Sequence, residues 1–192
     1  AQRPGGRAHT GRRPRRRPPL RRARRGARRA HGGGDLGLVG PRLIAVHAVH
    51  LEEAEIELLA REGASIAHCP SSNLKLASGI APVAACRAKG INVGLGTDGA
   101  ASNNRLDILG EMRTAALLAK GVSGDARAGS ARQIIDMLTI NGARVLGLAD
   151  RIGSIESGKQ ADFCALDLCA PVTQPLHHVL SQLVYAAASR QV

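Results

Sequence analysis

The chain has 192 residues, 27 Lys+Arg against 15 Asp+Glu for a formal net charge of +12, and 44% hydrophobic residues. That length and apolar content suit one ordinary domain with its own core, and there is no apolar run of about 18 residues or more to serve as a transmembrane helix. The excess charge suggests nucleic acid only until it is located: thirteen arginines fall between Arg3 and Arg29, no Asp or Glu precedes Asp35, and the remainder holds 14 Lys+Arg against 15 Asp+Glu.

Residues 1–34 are Arg, Pro, Gly and Ala with almost no large apolar side chain. Such a segment cannot bury enough surface to offset its ordering entropy, so disorder is expected. A nucleic-acid-binding arm is one explanation, but aromatics that would stack on bases are missing. An Arg-rich transit peptide is a second, but Ser is scarce and no amphipathic pattern appears; the basic stretch also lacks the apolar h-region of a secretory signal. The third, and the one adopted as the expectation, is a GC-rich gene read in the wrong frame, which yields this composition; the first residue is not Met, which suits a fragment.

From Asp35 the pattern is regular. Leu43–Val46 is a short apolar run ending at His47, and Glu52 to Arg61 is an amphipathic helix with Ile56, Leu59 and Ala60 on its apolar face, closed by Gly63. Ser65–Ala67 is the next strand, ending at His68. Pro70 to Asn73 is expected to form a turn, Pro82 to Lys89 a helix closed by Gly90, and Val93 to Gly96 a buried strand. Strands alternating with helices imply a parallel sheet with helical crossovers. Each strand then delivers a polar residue to one edge, so His47, His68 and Asp98 are expected to converge.

The stretch Asn92-Val-Gly-Leu-Gly-Thr-Asp-Gly-Ala-Ala-Ser-Asn-Asn104 organises the rest, because it places Asp98 just past a strand's carboxyl end, where parallel α/β folds put their chemistry. Gly94-Leu-Gly-Thr-Asp-Gly99 is also a literal G-x-G-x-x-G. A dinucleotide site needs those glycines to run straight into a helix; here Ala100 to Asn104 are expected to intervene, and Asp98 would repel the phosphates. Leu106 to Lys120 is the clearest helix, carrying Leu109, Met112, Leu117 and Leu118, with Asn104 or Asp107 as its cap and Gly121 as its stop. Ser130 to Leu138 and Asn141 to Leu146 are two more helices. A turn at Gly153 to Gly158 leads into an expected strand over Ala161 to Leu166, and Val179 to Ala188 is apolar and helical. Met112 and Met137 are expected in the core. Cys69, Cys86, Cys164 and Cys169 show no C-x-x-C spacing and are expected to be buried free thiols in a reducing cytoplasm.

From about Leu43 onward the sequence resembles the amidohydrolase superfamily, closest to the methylthioadenosine/S-adenosylhomocysteine deaminases and the atrazine/triazine hydrolases. The segments that carry this are Ala45-Val-His-Ala-Val-His-Leu51, His68-Cys-Pro-Ser-Ser-Asn-Leu-Lys-Leu-Ala-Ser-Gly79 and Leu95-Gly-Thr-Asp-Gly-Ala-Ala-Ser-Asn-Asn104. Glu111-Met-Arg-Thr-Ala-Ala-Leu-Leu-Ala119, Ile152-Gly-Ser-Ile-Glu-Ser-Gly-Lys-Gln-Ala-Asp162 and Ser181-Gln-Leu-Val-Tyr-Ala186 support it.

The resemblance implies an α/β fold: the last three strands of a metal-dependent hydrolase (β/α)₈ barrel over residues 35–150, then the start of a small β-sandwich return over 151–192. It implies one catalytic zinc ion, with Asp98 as a metal ligand and proton shuttle and His47 as the histidine that orients or activates the attacking water. His68, Asn73 and Ser102 are expected to contact substrate, an aminopurine nucleoside undergoing hydrolytic deamination. Other C–N or C–Cl hydrolysis within the superfamily is the alternative, and nucleic-acid binding through the Arg-rich arm a further one. The family's His-x-His, its third metal histidine and its acidic glutamate have no counterpart, and His9 and His31 do not supply them. The zinc deaminase type with H-x-E and P-C-x-x-C is excluded because the chain has no P-C-x-x-C. The chain alone is therefore expected to be inactive, with exposed sheet edges prone to aggregation; the full-length enzyme is expected to be a cytoplasmic homo-oligomer with no membrane partner.

Overall fold

The structure, a computed structural model, describes residues 37–192. The expectations for the Arg-rich segment, and for His9 and His31, lie outside the described residues.

Three short parallel strands form the centre: β1 (Ile44–Val46), β2 (Ser65–His68) and β3 (Asn92–Leu95), in the order β1-β2-β3. The register pairs Ala45 with Ile66 and Ile66 with Val93, so these three share one face. Ile66 and Val93 on that face are 2% and 1% exposed. They pack into the main core with helix α1 (Glu53–Arg61), through Ile56 and Leu59, and with α3 (Val83–Ala88), through Cys86. Burying each such side chain contributes about 1.5–3 kcal/mol, which is why the apolar runs in the sequence become sheet rather than surface.

Between these elements lies α2 (Pro70–Lys75). This is a correction to the turn expected at Pro70 to Asn73: the fixed φ of proline at the first helical position favours a helix start there. A second correction concerns the segment after Asp98. Gly99 leads directly into α4 (Ala100–Asn103), so the glycines do precede a helix. It is a single turn, too short to accumulate a dipole, and Asp98 still stands where phosphate would have to sit.

Helix α5 (Ile108–Ser123) is capped by Asp107, whose Oδ1 accepts from the Gly110 amide at 3.1 Å. It runs through Gly121 and stops at Gly124, which adopts φ 66° and donates its amide to Lys120 O at 2.9 Å. Gly124, not Gly121, is the left-handed terminator. Helices α6 (Ala131–Leu138), α7 (Ile140–Val145) and α8 (Val179–Tyr185) follow. Met112 and Met137 are core residues as expected, 2% and 1% exposed.

Helix α7 covers the opposite face of the sheet at Gly94. A Cβ there would lie 3.0 Å from Val145 Cγ2 and 3.1 Å from the Gly142 Cα. Gly94→Ala is expected to lower stability by about 1–3 kcal/mol through overpacking, measured by urea denaturation; an unchanged midpoint would mean that α7 can retreat freely. On the same face Ile44 and Val46 are 38% and 51% exposed, and among the described residues β1 and β3 each pair on one side only.

The strand expected over Ala161 to Leu166 does not form. Among the described residues no strand lies beside it, and without a ladder its backbone groups have nothing to pair with. The sandwich return is thus not seen in the described residues. Cys164 and Cys169 are exposed rather than buried, whereas Cys69 and Cys86 are buried; all four are free thiols. No described helix is long and apolar enough to cross a membrane.

Candidate functional site

Parallel strands carry their C-terminal residues to one edge, and β1 and β3 hand over directly to His47 and, three residues past Leu95, to Asp98. Both adopt left-handed backbone, His47 at φ 69° and Asp98 at φ 62°, and Ala48 follows at φ 52°. Non-glycine residues held there cost about 1–3 kcal/mol each and cluster at functional sites. His47 Nε2 lies 3.7 Å from Asp98 Oδ2.

Each of the two is held by a residue of α2. His47 Nδ1 is 2.8 Å from Asn73 Oδ1. With the amide oxygen as acceptor, Nδ1 carries a proton; in the neutral imidazole Nε2 then turns a lone pair toward Asp98, and in the imidazolium it presents an N–H. Ser72 Oγ donates to Asp98 Oδ2 at 2.6 Å, and the Gly99 amide donates to Asp98 Oδ1 at 2.7 Å. The Ser72 hydroxyl first, then the Gly99 amide, hold the Asp98 carboxyl below the usual carboxylate range; burial opposes them less strongly, and Ser102 and His47 add still smaller lowering effects. Asp98 is therefore an anion at neutral pH.

His68 ends β2 beneath this pair. It is 3% exposed, its Nδ1 has no hydrogen-bond partner, and burial first, then the nearby His47, push its pKa down to about 4. It is a neutral imidazole with an open nitrogen. The Asn73 Nδ2 amide, 2% exposed, is also without a partner. Buried polar atoms left unpaired are costly and uncommon. Cys69, next to His68, is an inert thiol: burial first, then the Asp98 and Glu111 charges, push it up to about 11.

Of the five residues picked out in the sequence, the structure thus joins His47 to Asp98 and Asn73 to His47, and leaves His68 buried alongside, while Ser102 adds only a minor lowering of the Asp98 pKa. Ser72 and Glu111 were missed. Ser72 lies 26 residues from Asp98, in a stretch whose composition predicts a turn. Glu111 is 2% exposed in the first turn of α5, where it accepts from the Ser71 amide at 3.1 Å and Asn103 Nδ2 at 2.8 Å. A groove of about 670 Å³ lies elsewhere, lined by Ile44, Gly94, Leu138, Leu146, Ile155 and Phe163 among others, and includes none of these polar residues.

A catalytic zinc centre takes three protein ligands with an open position. His47 Nε2 and Asp98 Oδ2 are acceptors facing each other, an arrangement that a shared cation or proton stabilises. They are two donors, and no group of three or more His, Cys, Asp and Glu able to hold a metal occurs among the described residues. The described residues offer part of a metal's ligand set and not a whole one.

The chain is 52% identical over 157 residues to the 5-methylthioadenosine/S-adenosylhomocysteine deaminase of Moorella thermoacetica, an alignment covering 82% of this chain and 37% of that one. It superimposes on an adenosine deaminase from Xanthomonas campestris, solved with bound zinc, at a TM-score of 0.81 with 58% identity, covering 83% of this chain and 36% of the other. It also superimposes on the atrazine chlorohydrolase of Arthrobacter aurescens complexed with zinc at a TM-score of 0.74 with 32% identity, covering 79% and 34%. The chain therefore spans little more than a third of the length of these relatives, and its α/β architecture with a small parallel sheet corresponds to part of a metal-dependent hydrolase. Residues 19–192 match the amidohydrolase family; with that match and relatives at this identity, the chain belongs to the amidohydrolase family.

Proposed function

We propose that this chain forms the Asp98 side of the active site of a zinc-dependent deaminase that removes the amino group of an aminopurine nucleoside by hydrolysis. The observation that carries this is the facing pair, Asp98 Oδ2 and His47 Nε2 at 3.7 Å, each fixed by a neighbour from α2. The 52% identity to a methylthioadenosine/S-adenosylhomocysteine deaminase supports the substrate class.

In this proposal Asp98 is one metal ligand, and the further ligands lie outside the described residues. A zinc ion acts as a Lewis acid and lowers the pKa of its water toward ~7. The residues of this chain handle the proton. Asp98, ionised and with Oδ2 facing His47 Nε2 at 3.7 Å, accepts a proton from the attacking water and returns it to the departing ammonia. His47, its Nδ1–H held by Asn73, keeps Nε2 aimed at that water. His68 Nδ1 and Asn73 Nδ2, buried and unpaired, are the atoms available to a bound purine. Ser102, in the short helix that follows Asp98, is the third residue assigned to the substrate. The free thiols suit a reducing compartment and hence the cytoplasm.

A chimera tests the proposal, with the matched part of this chain replacing its counterpart in the Moorella deaminase. Ammonia release from 5′-methylthioadenosine or S-adenosylhomocysteine, exceeding release from guanine and chloride release from atrazine, is expected. A folded chimera that acts on atrazine and not on either nucleoside would favour the hydrolase alternative.

A further inference from the structure

Glu111 sits where a charge is costly. It lies on the stripe of α5 that also buries Leu109, Met112 and Ala115, and desolvating a carboxylate there is unfavourable unless both oxygens are well used. Both are: one accepts from the Ser71 amide, the other from Asn103 Nδ2. These two donors belong to the two segments that meet at Asp98. Ser71 immediately precedes Ser72, whose hydroxyl donates to Asp98 at 2.6 Å. Asn103 Nδ2 also donates to Thr97 O at 2.6 Å, the carbonyl of the peptide that joins Thr97 to Asp98. One turn further along α5, Thr114 Oγ1 accepts from Ser71 Oγ at 3.3 Å, a second tie from the same helix to the same segment.

We infer that Glu111 is a positioning residue for Asp98: its buried carboxylate clamps the start of α2 to the Thr97–Asn103 segment and so fixes where the Asp98 carboxylate points. A residue held at φ 62° relaxes unless its surroundings over-determine it, and Glu111 is the group through which both flanking segments are tied to one rigid helix. An ionised carboxylate is acceptor-only, which suits two N–H donors; a glutamine of the same volume must turn an NH₂ toward one of them. The catalytic meaning of this clamp rests on the function proposed above, whereas the clamp itself can be tested without metal or substrate.

The test is Glu111→Gln in the full 192-residue chain, read by the amide resonance of Gly99, which reports its 2.7 Å bond to Asp98 Oδ1 directly. The expected result is loss of the hydrogen-bonded Gly99 position while the amides of Ile56 and Leu59 in α1 keep their shifts and their exchange protection. A folded variant with Gly99 unmoved would show that Glu111 stabilises the fold without positioning Asp98, and equal loss of protection in α1 would show the same; either overturns the inference. Asn103→Ala cuts the link to Thr97 while leaving the carboxylate in place, and serves if Glu111→Gln does not fold. It is expected to displace Gly99 likewise, and an unmoved Gly99 there, or failure of both variants to fold, overturns the clamp. Failure of the deaminase proposal would appear in ammonia release alone and leave the Gly99 readout unaffected.

Discussion

Asp98→Asn in the chimera is expected to lower kcat for ammonia release by about 10²–10⁴-fold, the range that a positioned proton-transfer group supplies. The substitution keeps the shape of the side chain and removes its negative charge and proton affinity. The amide oxygen can keep the bond from the Gly99 amide while its NH₂ donates to Ser72 Oγ, which accepts as well as donates, so the loop is expected to hold, and the loss falls on kcat more than on KM. His47→Asn should fall in the same direction, because Asn73 would lose the Nδ1–H that it holds at 2.8 Å. A variant at position 98 with wild-type kcat would remove Asp98 from the chemistry, whatever its resemblance to known deaminases.

A second large effect concerns pH and stability. Burial, followed by the charge of His47, pushes the His68 pKa down to about 4 from an ordinary 6.5. Between those values the unfolded chain binds the proton and the folded chain does not, so stability present above pH 6.5 is lost progressively as pH falls toward 4. The full difference is about 3 kcal/mol at one pKa unit per ~1.4 kcal/mol. Asp98, Asp107 and Asp125 are also held below their usual range, but their contributions are lost only below about pH 4, beneath the window of His68. Urea denaturation at pH 7 and at pH 4.5 should show the loss, and His68→Asn should flatten it. An equal loss in that variant would assign the pH dependence to other groups.

What could be read from the sequence follows from how local each signal is. The strands before His47, His68 and Asp98 are short apolar runs stopped by glycine or a polar residue, and that pattern needs no knowledge of tertiary partners. Asp98 was legible for the same reason, as the polar residue just past such a run. Ser72 was not, because a serine two residues after a proline is ordinary turn chemistry until the fold brings Asp98, 26 residues away, to its hydroxyl. Glu111 does carry a signal: it falls on the buried stripe of α5 with Met112 and Ala115, and a charge at a core position implies buried donors. The strand expected at Ala161 to Leu166 failed for the opposite reason, since apolar composition suggests a strand but only a neighbouring strand makes one. The helix at Pro70 is hidden because Pro, Ser and Asn in succession have the composition of a turn, although proline at a first helical turn starts helices.

The most direct measurement of the central claim is the zinc content of the purified chimera with Asp98 intact and with Asp98→Asn, determined together with its fold by circular dichroism. If Asp98 belongs to the metal centre, the parent holds roughly one zinc per chain and the folded variant loses most of it, since a catalytic site has few ligands to spare. A folded Asp98→Asn chimera that keeps its full zinc would contradict that placement and leave Asp98 as a proton-transfer group beside the metal at most.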